Sequence, residues 1–327
     1  VILYADASES INFVRGRFVL ENFKSTDKEV VPASRSFSLT VAMHFSLVCR
    51  LLRLYPSNVI RLSTKKFLVV FRKRFYHLDF ANTSFTYRSD IVGSSPINVL
   101  LDDGVLFYGE YRQNKERSPI ALWRSTDFGE TWESAYQFDA IRHIHGVFKD
   151  PYEETFYVTT GDSDRESAIW VSRDGAKSFS KLLHGSQQTR AVQLGITKDA
   201  IYFGSDSPLE QNYLYRLERE SNQLLQLGPV AGSVFYAKVV GEDVYFSTAV
   251  EPSDVNKSPN AQLWKVSKTE MSFLYESKKD IWSKKYFLYG QLRFVDGPAK
   301  NATIWISEVA TKNHGQHFSL VMEGGDK

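Results

Sequence analysis

Two histidines spaced by two, His143 and His145, stand in the run Arg142-His143-Ile144-His145-Gly146. On a β-strand that spacing puts both imidazoles on the same side. An imidazole titrates near neutral pH and can take or give a proton. A guanidinium at Arg190 could neutralise a carboxylate and the charge that builds up beside it. The phenols of Tyr111 and Tyr236 could hand a proton to a departing oxygen. Glu110, Arg112, Asp162 and Asp206 add groups suited to holding the hydroxyls and carboxylates of a sugar. These residue types meet the demands of β-elimination on a uronic acid, which needs a base for the proton next to the carboxylate and a cation against the developing charge. Hydrolysis of a glycosidic bond needs two carboxylates instead. Glu110, Asp162, Asp206 and Glu251 are available for that, and no spacing singles out a pair. A zinc site at His143 and His145 would need a third ligand that no nearby spacing offers, so neither metal nor cofactor is expected. P-loop and dinucleotide fingerprints are absent.

The elements that must position these groups are strands. Aromatic residues make up 14% of the 327, with 17 Tyr and 23 Phe, a composition that favours sheets. From Asn58 onward, short β-branched and aromatic runs alternate with turns such as Asp102-Asp103-Gly104, Asp150-Pro151 and Gly241-Glu242-Asp243. A strand–turn–strand unit ending in a small residue recurs at 95–109, 142–161, 189–204, 233–247 and, more loosely, 288–307. Asn98, His145, Arg190 and Tyr236 hold corresponding places about 46 residues apart, within the ~40–50 residues of a four-stranded propeller blade. With Asn58–Asp90 as a sixth unit, the expected fold is an all-β, six-bladed β-propeller over residues 57–327. Seven blades follow if Ile11–Val31 forms its own sheet. Residues 1–56 read as an N-terminal segment. Val1–Asp6 would close the ring as the fourth strand of a last unit that ends at His317–Met322. Ser36–Leu54 reads as a helix, since Leu39, Met43, Leu47, Leu51 and Leu54 recur at spacings of three and four.

Ser125-Thr126-Asp127-Phe128-Gly129-Glu130-Thr131-Trp132 matches the Ser-x-Asp-x-Gly-x-Thr-Trp pattern at every specified position, and Ser172–Phe179 is a weakened copy 47 residues later. This resembles the Asp box, or bacterial neuraminidase repeat, of sialidase-like β-propellers. The resemblance implies a structural role for Asp127, in a turn joining the third and fourth strands of a blade on the face away from the active site. It also fixes direction. His143 and His145 would then sit at the channel mouth, with Glu110-Tyr111-Arg112, Asp162, Asp206 and Glu251 on the same rim, and Arg190 and Tyr236 lining the channel. Asp-box propellers include sialidases, polysaccharide lyases and hydrolases, and non-catalytic receptors. The sialidase Phe-Arg-Ile-Pro signature is absent. The reading favoured is processing of an acidic polysaccharide by β-elimination, with His and Tyr as acid and base and Arg neutralising charge. A hydrolase using rim carboxylates and a non-catalytic glycan- or protein-binding propeller are the alternatives.

A net charge of +2 argues against nucleic acid as partner. Residues 1–90 carry 14 Lys/Arg against 7 Asp/Glu, with Arg50, Arg53, Arg61, Lys65, Lys66, Arg72, Lys73 and Arg74 clustered, so a peripheral membrane or protein contact through 36–74 is an expectation. The uncharged run Ser36–Cys49 has 14 residues, short of a membrane span. Cys49 is the single cysteine, which excludes an internal disulfide. The start lacks a secretory leader pattern, so a cytoplasmic location is expected. Asn82 and Asn301 head glycosylation triplets. No motif sets an oligomeric state.

Overall fold

A computed structural model describes residues 1–299 and 303–321. Strands follow one another as antiparallel meanders. The first sheet is β1 (Ile2–Ala5), β2 (Glu9–Val14), β3 (Arg17–Asn22) and β4 (Lys28–Pro32). The second is β5 (Asn58–Ser63), β6 (Lys66–Phe71), β7 (Arg74–Asp79) and β8 (Ser84–Asp90). The third is β9 (Val99–Asp102), β10 (Val105–Gly109), β11 (Ile120–Ser125) and β12 (Glu133–Phe138). The fourth is β13 (His143–Lys149), β14 (Phe156–Gly161), β15 (Ala168–Ser172) and β16 (Ser180–His184). The fifth is β17 (Ala191–Ile196), β18 (Ala200–Ser205), β19 (Asn212–Glu218) and β20 (Leu224–Val230). The sixth group is β21 (Val234–Val240), β22 (Asp243–Val250), β23 (Asn260–Ser267) and β24 (Glu270–Lys278). The last is β25 (Gly290–Phe294), β26 (Thr303–Val309) and β27 (His317–Val321), and pairing of Ala249 and Val250 with β25 joins it to the sixth.

The first strand of each group touches the first strand of the next, from β1 to β25, and a parallel bridge between Tyr4 and Asp296 brings the chain's start to its last group. This is the all-β propeller that the repeats predicted. Ile11–Val31 does lie in a sheet of its own, the condition under which the repeats count seven. Val1–Asp6 is therefore not the outer strand of the last unit; β1 is the inner strand of the first sheet. Its backbone still ties the ends together, through Ala5 N–H to Asp296 O at 2.9 Å and Asp296 N–H to Leu3 O at 3.1 Å. The end expected for the final strand, Met322, and the Asn301 triplet lie outside the described residues.

Burial explains the sequence texture. The second strands β14 (Phe-Tyr-Val-Thr-Thr-Gly) and β18 (Ala-Ile-Tyr-Phe-Gly-Ser) are buried along their whole length, because neighbouring sheets cover both faces. The outer strands β8 and β24 have one buried residue between them, Ser277, and carry charged and hydroxyl side chains alongside exposed Tyr87, Phe273 and Leu274. The small residue that ends the repeat unit has a steric cause. A Cβ on Gly109, at the end of β10, would stand 2.2 Å from Ile144 Cγ2 on the next inner strand.

Both turns that resemble the Asp box join third to fourth strands, β11 to β12 and β15 to β16. Asp127 accepts from the Thr131 and Glu130 amides at 2.9 and 3.1 Å and from the Ser125 and Thr131 hydroxyls at 2.7 and 2.6 Å. Asp174 repeats this with Ser178, Lys177 and Ser172. Trp132 reaches the neighbouring sheet, stacking on Phe75 at 4.6 Å.

The helix expected over Ser36–Leu54 is two short helices, α1 (Phe37–Ala42) and α2 (Ser46–Leu51). Arg50 of α2 is only 1% exposed and pairs with Asp280 at 2.5 Å. It also donates to the Phe287 carbonyl of α3 (Lys284–Phe287). The basic cluster is thus partly neutralised: Arg61 pairs with Asp6 and Glu9, Lys65 with Glu29, and Arg74 with Asp90. Among the described residues no helix is long and apolar enough to cross a membrane.

Candidate functional site

The histidine pair sits where β13 begins, at a register shift between Ile144 and Gly146 that leaves His145 without a cross-strand partner. Such a bulge re-aims the side chain it carries. The two imidazoles meet, with Nε2 to Nε2 at 3.0 Å. Their other nitrogens face main-chain oxygens: His145 Nδ1 lies 2.9 Å from Ala191 O, and His143 Nδ1 lies 3.3 Å from Arg112 O. Tyr111 stacks on the His143 ring with centroids 4.1 Å apart.

His143 pairs across the sheet with Gly161, so the next residue, Asp162, arrives beside both rings. Its Oδ1 is 3.6 Å from His143 Nε2 and 3.9 Å from His145 Nε2. The third donor that local spacing did not offer is supplied by strand register. Gly161 is needed here, because a Cβ would stand 2.7 Å from Arg190 Cγ and 2.8 Å from His145 Cε1. Arg142 donates to Asp162 Oδ2 at 2.6 Å. Arg190 bridges Asp162 at 3.1 Å and Asp206 at 3.3 Å.

Two adjoining cavities open at this end, of about 620 and 360 Å³, and share Ser57, Ser95, Tyr111, Gln291 and Arg293. His145, Asp162, Arg190, Asp206, Tyr236 and Glu251 line the smaller one. Tyr236 is therefore at the cavity wall, its hydroxyl donating to Gln291 Oε1 at 3.1 Å.

Electrostatics separate the titratable groups. Burial would raise Asp162, but the two imidazoles and the Arg190 guanidinium hold it well below the usual carboxylate range. Burial lowers His145, with the contact to Asp162 opposing. Burial pushes Asp206 up to about 7 despite Arg190, with Glu251 and Asp162 adding to the rise. One Asp206 oxygen is buried without a hydrogen-bond partner, as is Nε of Arg190. Tyr111 is pushed up to about 12 by burial and the nearby Asp162 and Asp206, and burial also raises Tyr236.

Six of the nine residues singled out in the sequence line these cavities, His143 stands behind them against His145 and Tyr111, and Glu110 and Arg112 line neither. Glu110 is buried and accepts from Arg112 Nε at 2.5 Å and from the Ala121 amide at 3.2 Å. Arg112 is further spent on Ser118, Asn114 and the Pro119 carbonyl. The pair ties a loop; only the Arg112 carbonyl reaches the site. Each histidine ring nitrogen faces a neighbour: the two Nδ1 atoms face main-chain oxygens and the two Nε2 atoms face each other.

Sequence reasoning missed Arg293, Gln291 and Tyr289. Arg293 forms no ion pair or side-chain hydrogen bond among the described residues, although it lines both cavities. The signal was the alternation Gln291-Leu292-Arg293 in the loosest repeat unit, which turns residues 291 and 293 to the side opposite buried Leu292.

No family model matches the chain and no curated protein matches it, so the Asp-box resemblance rests on the two turns themselves. Among solved structures, an oligogalacturonate lyase in complex with manganese is similar over 99% of this chain and 96% of its own, with TM-score 0.55 and 10% identity. Dihydro-heme d1 dehydrogenase is similar over 97% of this chain and 61% of its own, with TM-score 0.56 and 13% identity. The tricorn protease is similar over 98% of this chain and 34% of its own, with TM-score 0.55 and 10% identity. These likenesses are of fold, and the fold is a β-propeller.

Proposed function

We propose that this propeller takes an acidic polysaccharide or oligosaccharide into the channel-mouth cavity and cleaves it by β-elimination. The observation that carries the reading is Arg293, a guanidinium with no ion pair or side-chain hydrogen bond among the described residues, felt by the buried Asp296 carboxyl but lining the same cavity as Tyr111, Tyr236 and Asp206. Arg190 is committed to Asp162 and Asp206, so Arg293 takes the role of meeting the uronate carboxylate. A half-buried guanidinium at the cavity wall is placed to make charge-assisted hydrogen bonds to an anionic ligand. The oligogalacturonate lyase shows that a propeller of this shape can carry an enzyme of acidic sugars, with support at the level of fold only.

In the step envisaged, Asp206 in its ionised form takes the proton at C5 of the uronic acid. The C–H electrons become the C4–C5 double bond, the C4–O bond breaks, and the departing oxygen takes a proton from Tyr111. A carboxylate held near 7 is matched to a base at neutral pH, and a phenol held near 12 stays protonated until needed. The direct test is a panel of uronic-acid polysaccharides read by the absorbance of the 4,5-unsaturated product at ~235 nm, the chemical consequence of proton abstraction and elimination. Growth of that band supports elimination; new reducing ends without it overturn elimination.

One observation favours a second reading. Glu251 shares the cavity with Asp206 and raises it. A carboxyl whose proton affinity is raised, with a second carboxyl group in the same cavity, is what a glycoside hydrolase needs, with Asp206 as acid and Glu251 as its partner.

A further inference from the structure

We propose that His143, His145 and Asp162 form a binding site for one divalent transition-metal cation. The case begins with the tautomers. A carbonyl oxygen only accepts hydrogen bonds, so His145 Nδ1, 2.9 Å from Ala191 O, carries a proton. His143 Nδ1, 3.3 Å from Arg112 O, does the same. In a neutral ring a proton on Nδ1 leaves Nε2 as a bare lone pair. The two Nε2 atoms are nevertheless 3.0 Å apart, which aims one lone pair at the other. Neutral imidazoles repel in that arrangement. A positive body between or in front of them removes the conflict, and only a proton or a metal ion fits.

Distances favour the metal. Two imidazole nitrogens bound at ~2.1 Å and about a right angle stand about 3.0 Å apart, the separation seen. Asp162 Oδ1 completes the set at 3.6 and 3.9 Å from the two nitrogens, and all three donors lie within 4.8 Å of one another. Two imidazoles and one carboxylate leave further coordination positions open. The surroundings resemble an outer shell, in which each ligating histidine donates its other N–H to a main-chain oxygen and the carboxylate is itself hydrogen-bonded. Arg142 holds Asp162 Oδ2, away from the rings. Arg190 does compete for Oδ1, but Asp206 shares its charge. Nitrogen donors select manganese through zinc over magnesium and calcium, which take oxygen ligands. His145 and Asp162 line the smaller cavity, so the ion would face any ligand there. The site does not rest on the glycan reading.

The test uses the full chain, stripped with a chelator and titrated with Co²⁺ by visible spectroscopy and with Zn²⁺ by calorimetry. One equivalent should bind, with cobalt bands typical of nitrogen ligands and no competition from Mg²⁺ or Ca²⁺. His145→Ala and Asp162→Asn should each weaken binding at least about tenfold, whereas His44→Ala, an exposed histidine elsewhere, should leave it unchanged. Should a substituted chain fail to fold, the wild-type protein alone decides: its unfolding midpoint should rise with Zn²⁺ and return with chelator. Absence of binding at about 1 mM cobalt, an affinity too weak for a formed three-donor site, would overturn the proposal. Equal binding by all folded variants would overturn it too, and ¹⁵N spectra would then show a protonated, hydrogen-bonded pair.

Discussion

Replacing Arg50 with methionine should unfasten the segment that carries Tyr289 to the cavity. Methionine keeps most of the apolar stem and removes the charge. What is lost is the ion pair to Asp280 at 2.5 Å, the donations to Phe287 O at 2.9 and 2.5 Å, and the guanidinium's place 5.8 Å above the Phe287 ring. Breaking a buried pair costs ~3–5 kcal/mol. Asp280 keeps Lys279 at 2.5 Å and the Trp282 amide at 3.1 Å, so its charge is not left bare. The expected loss is therefore about 2–3 kcal/mol, read by urea unfolding. Local opening of 281–289 should appear in amide exchange. A double-mutant cycle with Asp280→Asn should give a coupling of about 1–3 kcal/mol. Burial would raise Asp280, but Arg50 and Lys279 hold it below its ordinary value. That contribution is present above the unfolded value near ~3.9 and fades as pH falls through the lower folded value. In Arg50→Met the acid-side loss should shrink. A stability change under about 0.5 kcal/mol with no coupling would refute the tie.

Gly161→Ala should displace Arg190 and His145, the atoms its Cβ would meet at 2.7 and 2.8 Å. Ligand binding and turnover should fall more than about tenfold, while stability falls only about 1–3 kcal/mol, as checked by calorimetry and urea unfolding. Phe128→Gly should stabilise the fold by about 0.5–1 kcal/mol, because Phe128 sits at φ +59° and is 43% exposed, and Gly175 fills the same place in the second turn; a lower unfolding midpoint would count against it. With Asp206 as base, kcat/KM should rise as pH passes about 7, and Asp206→Asn should remove that limb. Activity that falls through the same pH would mark Asp206 as the acid of a hydrolase.

The parts of the fold that were legible in the sequence are those with steric necessity behind them. The turns at Asp127 and Asp174 need a short carboxylate under converging amides, and Gly109 and Gly161 need the absence of a Cβ. Direction along the strands then put His143, His145, Asp162 and Arg190 on one rim. The first sheet was harder to see, because its outer strand β4 is short, follows the polar run 21–29 and ends at Pro32, so it resembles a loop. Offsets along a repeat place a residue on a strand but do not say which neighbour it binds. That is why Glu110 and Arg112, adjacent to the site, proved to be bound to each other. It is also why the cavity-lining Arg293 stayed hidden in the unit whose repeat is weakest.

The central claim, an acidic sugar held at the channel mouth by Arg293, is most directly tested by comparing affinity for an oligouronate and for its carboxyl-reduced form. Wild-type protein should prefer the acid by about tenfold or more, as expected for a charge-assisted pair worth ~1.5–3 kcal/mol, and Arg293→Ala should erase the preference without changing the fold. Equal affinity for the two sugars in the wild type, or a preference that survives in Arg293→Ala, would contradict it.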